Sequence, residues 1–210
     1  ARRELAGLPL SLFDANGQTK EDIKAIMYRQ TLKWGKIALT IVDHCNLVNH
    51  GKQGDKFGMA AGTSAVADSM LESSKRFGSH MLALVQLNLK ELKDRKDHRP
   101  IMGDARGSSN FEQNANNVLF MHREIQWTPN TPPAKGEFEY VNDYDKKIAD
   151  WKWKREELEN QAELIIAKNR MGPANITLPL IFDQTSTSFY ENPERDNENN
   201  EPDGFANAAD

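Results

Sequence analysis

An α/β fold with a mostly parallel central sheet is what this sequence predicts, and three observations predict it. Short apolar and β-branched runs recur between helix-like stretches, the alternation expected of strands joined by crossover helices. The helix-like stretches carry apolar residues at helical spacing and stop at glycines. The last two apolar runs flank Gly172-Pro173, which forces a tight turn and so adds a C-terminal antiparallel hairpin.

Along the chain, the apolar runs predict strands at 10–13, 37–42, 81–87, 118–122, 163–167 and 176–182. Between the first two lies a helix over 19–34. Thr19 and Asp22 form a capping-box pattern, Ile23, Ile26, Met27 and Trp34 share a face, and Gly35 ends the helix. A second helix is predicted over 59–77, with Val66, Met70 and Phe77 at helical spacing and Gly78 just beyond. Strand, helix and strand then read as a crossover between parallel neighbours. After His122 the pattern breaks. Residues 127–136 hold three prolines, and 143–161 is a charged stretch with Tyr144, Ile148, Trp151 and Leu158 on one stripe, an inserted loop followed by an amphipathic helix. An aromatic on such a stripe belongs to a core more often than to a partner contact.

The length suits one domain, expected over 1–190 with the insertion at 127–161. From Glu191 onward the chain is rich in Asn, Glu and Asp, with Arg195 as its one positive residue, and a disordered acidic tail over 191–210 is expected. That tail and the insertion account for a mean hydropathy of -0.71, polar for a globular chain. A net charge of -4 gives no bulk electrostatic reason to bind nucleic acid, so such binding has to come from local loops. Cys45 is the only cysteine, which excludes an internal disulfide and a cysteine-based zinc site and suits a reducing, cytoplasmic setting. No run approaches the 18 or so apolar residues of a membrane span, and the amino end, Ala1-Arg2-Arg3-Glu4, has no signal-peptide core. Starting without Met, the chain reads as a processed or excised segment.

Four segments carry candidate chemistry. The run from Ile37 to Val42 ends in Asp43, at the carboxyl end of a predicted strand, where open α/β sheets place ligand-handling groups. A strand ending in Asp is also ordinary turn chemistry. The run from Met81 to Val85 is followed by Gln86, an amide able to donate to a phosphate and accept from a water, or simply a satisfied strand end. Residues 99–116 form a polar, glycine-bearing segment. Ser109 and Glu112 have capping-box spacing, which would leave the preceding amides and Arg106 to meet phosphates, against the alternative of a solvated loop. Finally, Lys168 and Arg170 fall on one side of an extended chain just before Gly172-Pro173, a pair of cations suited to an anion or to solvent.

In this order and spacing the residues resemble the C-terminal ATPase domain of DnaB-type replicative DNA helicases. The family's Ile-Asp-Tyr-Leu-Gln-Leu strand end is similar to Val42-Asp43-His44-Cys45-Asn46-Leu47, and its Ser-Gln-Leu-Asn-Arg strand end to Val85-Gln86-Leu87-Asn88-Leu89. Its loop Arg-Pro-x-x-x-Asp-Leu-Arg-Glu-Ser-Gly-x-Ile-Glu-Gln-Asp-Ala-Asp resembles residues 99–116, and its Ile-Ile-Ala-Lys-x-Arg-x-Gly-Pro matches residues 165–173. The likeness covers roughly residues 8–190, interrupted by the insertion.

The resemblance implies a RecA-like P-loop NTPase core, truncated at its amino-terminal side, within a homohexamer that couples ATP hydrolysis to translocation on single-stranded DNA. By position, Asp43 becomes the acid that binds Mg²⁺ and Gln86 the nucleotide-state sensor. Arg106, Gly107 and Ser109 fall on the channel loop that grips DNA phosphates. Lys168 and Arg170 reach the γ-phosphate bound by the adjacent subunit, Arg170 as arginine finger. Primase and a helicase loader are the further partners the family implies. The alternative is a non-hydrolysing, degenerate paralogue that binds a helicase or recombinase ring.

The departures are specific. The family's channel-loop Glu is Gly107, its Gly is Ser109, its two Asp residues are Asn114 and Asn116, and its Arg after the sensor strand is Leu89. These 210 residues also contain no Gly-x-x-x-x-Gly-Lys-Ser/Thr, so the chain alone is expected not to hydrolyse ATP.

Overall fold

The computed structural model describes residues 7–14, 17–49, 59–105, 109–136 and 140–192. The chain divides into two compact units, the first drawn from residues 1–92 and 102–115, the second from 93–101 and 116–210.

The first unit begins with helix α1 (Lys20–Trp34), and its capping box is complete: the Asp22 amide donates to Thr19 Oγ1 and the Thr19 amide donates to Asp22 Oδ2. Gly35, at φ 77°, closes the helix with its amide on the Thr31 carbonyl, a conformation that glycine adopts without a Cβ penalty. Strand β1 (Leu39–Val42), a short 3-10 helix (Cys45–Leu47), helix α2 (Met59–Phe77) and strand β2 (His80–Ala83) follow. The two strands pair in parallel, Leu39 opposite His80 through Val42 opposite Ala83, as a strand-helix-strand crossover requires. Short helices α3 (Leu89–Lys93) and α4 (Ser109–Asn114) complete the elements. The core is Cys45, Val48, Val66, Ala67, Met70 and Phe111, with Ile23, Val42, Met81, Ala83 and Val85 packed against it. One face of the strand pair therefore covers α2, and burial alternates along both strands with the period of two that a pleated pair dictates.

The second unit is a four-stranded antiparallel sheet in the order β3 (Asn117–His122), β4 (Gln161–Asn169), β5 (Ile176–Asp183) and β6 (Ser188–Glu191), with helix α5 (Val141–Leu158) inserted between β3 and β4. Val118 pairs with Lys168 but Leu119 with Ile166, so Ala167 is an extra, bulged residue near the end of β4. Arg99 Nη2 bonds Glu163 Oε1 at 2.6 Å, fastening the 93–101 segment to β4. The predicted stripe on α5 is its half-buried face: Tyr144, Ile148, Trp151 and Leu158, with Arg155. Trp151 Nε1 and Arg155 Nη1 both donate to the Pro129 carbonyl, so this face braces the proline-bearing loop. Trp151 is thereby neither a buried core residue nor a bare surface one.

Two strand expectations change. Residues 10–13 form no strand, and Leu10, Leu12 and Phe13 are exposed: an apolar run becomes a strand only with a neighbour to pair and pack against. The strand expected over 81–87 stops at Ala83, because its partner turns into the 3-10 helix. One further bond, from the Leu84 amide to the Val42 carbonyl, ends the ladder. The expected C-terminal hairpin is present as β4–β5 and extends to β6, whose Phe189 ring lies 4.9 Å from that of Phe182. Among the described residues, no helix is long and apolar enough to cross a membrane. Of the tail expected over 191–210, all but Glu191 and Asn192 lies outside the described residues.

Candidate functional site

The carboxyl ends of the two parallel strands form one rim. Asp43 follows β1 directly and is exposed, and its peptide bond to His44 is cis. The chain then folds back so that the Cys45 amide donates to the Leu84 carbonyl at 2.8 Å and the Gln86 amide donates to Asn46 Oδ1, also at 2.8 Å. These bonds bring the strand end bearing Asp43 alongside the one bearing Gln86. Asn46 is the residue that joins them; its place three residues after Asp43 was the only signal available, and a weak one. Burial, and after it the charge of Asp43, pushes the Cys45 thiol up to about 12, so the sulfur is a protonated packing group rather than a nucleophile. A cleft of about 250 Å³ opens at this rim, lined by Gln86, Leu87, Asn88, Leu89 and Lys90.

The same strand end is tied to the loop segment. Leu87 forms an antiparallel bridge with Ala105, and the Asn88 amide donates to the Asp104 carbonyl at 2.9 Å. Glu112, in α4, turns its carboxylate back onto this segment: Oε1 and Oε2 accept from the Gly103 amide at 2.9 and 2.7 Å, and Oε1 accepts from the Ala105 amide at 3.3 Å. The amides of Gly103 and Ala105, expected to be left for phosphate, are therefore taken by Glu112. Ser109 opens α4, with its side chain outside the described residues, as are Arg106 and Gly107. The half of the capping box that Ser109 would supply lies outside them too.

Lys168 and Arg170 belong to the second unit. Lys168 is half-buried in β4 and Arg170 is exposed one residue past its end. The Arg170 amide donates to the Asn116 carbonyl at 3.0 Å, and its Nη1 lies 3.3 Å from Asn116 Oδ1. Beyond it, the Met171 amide donates to Asn169 Oδ1, and the amide of Asn175, at φ 60°, donates to the Ile166 carbonyl at 2.7 Å. A Cβ on Gly172 would stand 2.9 Å from Asn169 Nδ2, so a side chain there would displace the amide that shapes the turn. The predicted tight turn is thus present, with its cations outside the core.

A larger cleft, of about 490 Å³, lies in the second unit beside Arg123, Arg155, Phe182 and Gln184. Its arginines are occupied structurally. Arg123 Nη2 donates to the Glu159 carbonyl with the guanidinium 3.7 Å over the Phe182 ring, and Arg155 holds the Pro129 carbonyl. We therefore place the candidate chemistry at the rim and the hairpin.

The residues also bear on a metal ion. No cluster of three or more His, Cys, Asp or Glu side chains is present among the described residues. A single exposed carboxylate at a strand end nonetheless suits Mg²⁺, which keeps several waters and takes one or two protein oxygens besides phosphate.

Comparison with known proteins bears on the family and the fold. The family model described as DnaB-like helicase C terminal domain matches residues 1–191. The replicative DNA helicase DnaB of Mycoplasma genitalium is 31% identical over 193 residues, covering 90% of this chain and 35% of that protein. Its counterpart in Mycoplasma pneumoniae is 30% identical over 173 residues, covering 82% and 32%. The chain thus spans about a third of the length of these relatives. Among solved structures, a DnaB-like replicative helicase described with its interactions with primase superposes with a TM-score of 0.69 at 23% identity, covering 90% of this chain and 40% of that one. A second structure, described as an ATPase domain, also gives 0.69, at 22% identity, with 90% and 57% covered.

Proposed function

Because the chain belongs to the DnaB-like helicase C-terminal domain family, we propose that it is part of a hexameric replicative DNA helicase that couples ATP hydrolysis to movement along single-stranded DNA and duplex unwinding. In this reading Asp43 would hold the water shell of Mg²⁺, which, when bound with ATP, draws charge from the phosphates. Gln86, joined to Asn46 at the rim, senses the nucleotide through its side-chain amide. The Leu87–Ala105 bridge passes a shift of that strand end to the base of the loop carrying Arg106, Gly107 and Ser109, which contacts DNA phosphates. Arg170, with Lys168 beside it, projects into the nucleotide pocket of a neighbouring protomer and neutralises charge that develops on the transferring phosphoryl group. Homohexamer neighbours and single-stranded DNA are the partners this requires, and primase and a helicase loader are further ones.

The observation that carries the reading is Arg170, exposed on a turn whose backbone is pinned at Asn116, Asn169 and Ile166. A finger must be held in place before the transition state forms, since ordering it at that moment would cost catalytic advantage. The test uses the full-length protein. Arg170→Ala is expected to lower DNA-stimulated ATP hydrolysis on the order of a thousandfold while leaving ATP binding in place. Arg170→Lys is expected not to restore it, because a point charge lacks the planar fork. Wild-type rates in Arg170→Ala would overturn the assignment.

A further inference from the structure

Two guanidinium charges in the second unit have no carboxylate beside them. Arg123 and Arg155 both line the cleft of about 490 Å³, and among the described residues neither makes an ion pair. The bonds that hold them run to uncharged oxygens: Arg123 to the Glu159 carbonyl, Arg155 to the Pro129 carbonyl and Asn130 Oδ1. Such bonds fix the two forks in place without cancelling their charge. Arg123 Nε is buried with no hydrogen-bond partner among the described residues, and burial pushes the pKa of this guanidinium down from its ordinary value. A charge withdrawn from water is ordinarily paired, yet among the described residues no carboxylate lines this cleft. The rest of the lining has its own chemistry. Gln126, Asn130 and Gln184 carry amide donors and acceptors, and Phe182, its ring 3.7 Å from the Arg123 guanidinium, adds apolar surface. The volume is that of a small-molecule site rather than a seat for a lone ion.

We propose that this cleft binds a small phosphate monoester with a hydroxyl-bearing body, such as a sugar phosphate or a nucleoside monophosphate. The inference goes beyond the helicase reading and does not rest on it, since every residue it uses lies in the second unit. A phosphate monoester carries close to two negative charges at neutral pH, which matches two guanidinium groups, whereas a carboxylate carries one. Its oxygens suit the planar fork of arginine. The amides of Gln126, Asn130 and Gln184 can both donate to hydroxyl groups and accept from them. Because backbone carbonyls already hold both arginines, little side-chain ordering is left for the moment of binding.

The test titrates the 210-residue chain by calorimetry at fixed salt, because these residues hold no phosphate-binding glycine loop to compete for the ligand. Ribose 5-phosphate and AMP are the probes, with ribose and adenosine as their uncharged counterparts. At least one phosphorylated probe is expected to bind one to one, while ribose and adenosine give no heat of binding; the tighter of the two probes identifies the body that the cleft accepts. Arg155→Gln is expected to raise the Kd about tenfold, the loss associated with a hydrogen bond to a charged group. Gln126→Glu keeps the shape of the side chain but gives the cleft a carboxylate of its own, and should raise the Kd by at least as much. This second variant leaves the hold of Arg155 on Pro129 and Asn130 intact, so it separates loss of binding from loss of local structure. Neither phosphorylated probe binding at millimolar concentration, adenosine or ribose binding as tightly as its phosphate, or wild-type affinity in either variant would overturn the inference, and each would leave the helicase reading untouched.

Discussion

At position 114 an amide does what a carboxylate could not. Asn114 Nδ2 donates to Asp68 Oδ1 at 2.8 Å, tying α4 to α2, and an aspartate there would set two negative charges against each other. Asn116, the other amide standing where the family pattern has an acid, offers its side-chain oxygen to Arg170 without cancelling the guanidinium charge. Both departures from the family pattern thus have local structural reasons. His122 supplies a prediction in pH. It is 5% exposed, and burial holds its imidazole below the ordinary 6.5, against the opposing pull of Glu163 and Glu124. With the folded value depressed, the unfolded chain takes up the proton first. Stability is therefore fully present above about 6.5 and declines as the pH falls toward the folded value. Thermal melts between pH 8 and 5 should show Tm dropping across that window, with a shallower slope in His122→Gln; equal slopes would refute the assignment.

Among the elements, α4 is too short to be stable by itself and relies on packing. Phe111 provides it, in the same cluster as Val66, Ala67 and Met70 of α2. Phe111→Ala is expected to cost about 3 kcal/mol in urea denaturation, the usual loss for a truncated buried aromatic. Local signals made α1 and α2 legible: the Thr19 cap, Gly35 and Gly78 at positive φ, and the helical spacing of Val66, Met70 and Phe77 in α2. The β4–β5 turn was legible for the same reason, since Gly172 and Pro173 limit what the backbone can do. What escaped was decided by the presence or absence of a packing partner rather than by the segment's own residues. No periodicity in 10–13 could reveal the want of a paired strand, and nothing in Ser188–Glu191 announced that Phe189 would meet Phe182. At the candidate site, Asp43 and Gln86 could be read because strand ends are predictable places. The inward turn of Glu112 could not, because a carboxylate that caps its own helix and one that binds the preceding loop share the same spacing.

For the whole molecule, the two units are interleaved along the chain, which passes from one to the other after Leu92, back at Met102 and away again after Ala115. The residues resembling a helicase site are divided between them, with Asp43 and Gln86 in the first and Lys168 and Arg170 in the second. Neither part of the 210 residues carries a phosphate-binding glycine loop. Purified as such, the chain is expected to release phosphate from ATP at the rate of a protein-free blank, with or without DNA, and any rate above that blank would contradict the assignment. Interleaving also limits how the polypeptide can be divided. A piece ending at Leu92 would have a hole where the Phe111 ring belongs, and a piece starting at Asn116 would leave Glu163 without its arginine. No single cut yields two self-sufficient halves, so a protease nick in one unit would be felt as a packing defect or an orphaned charge in a piece that the protease never touched.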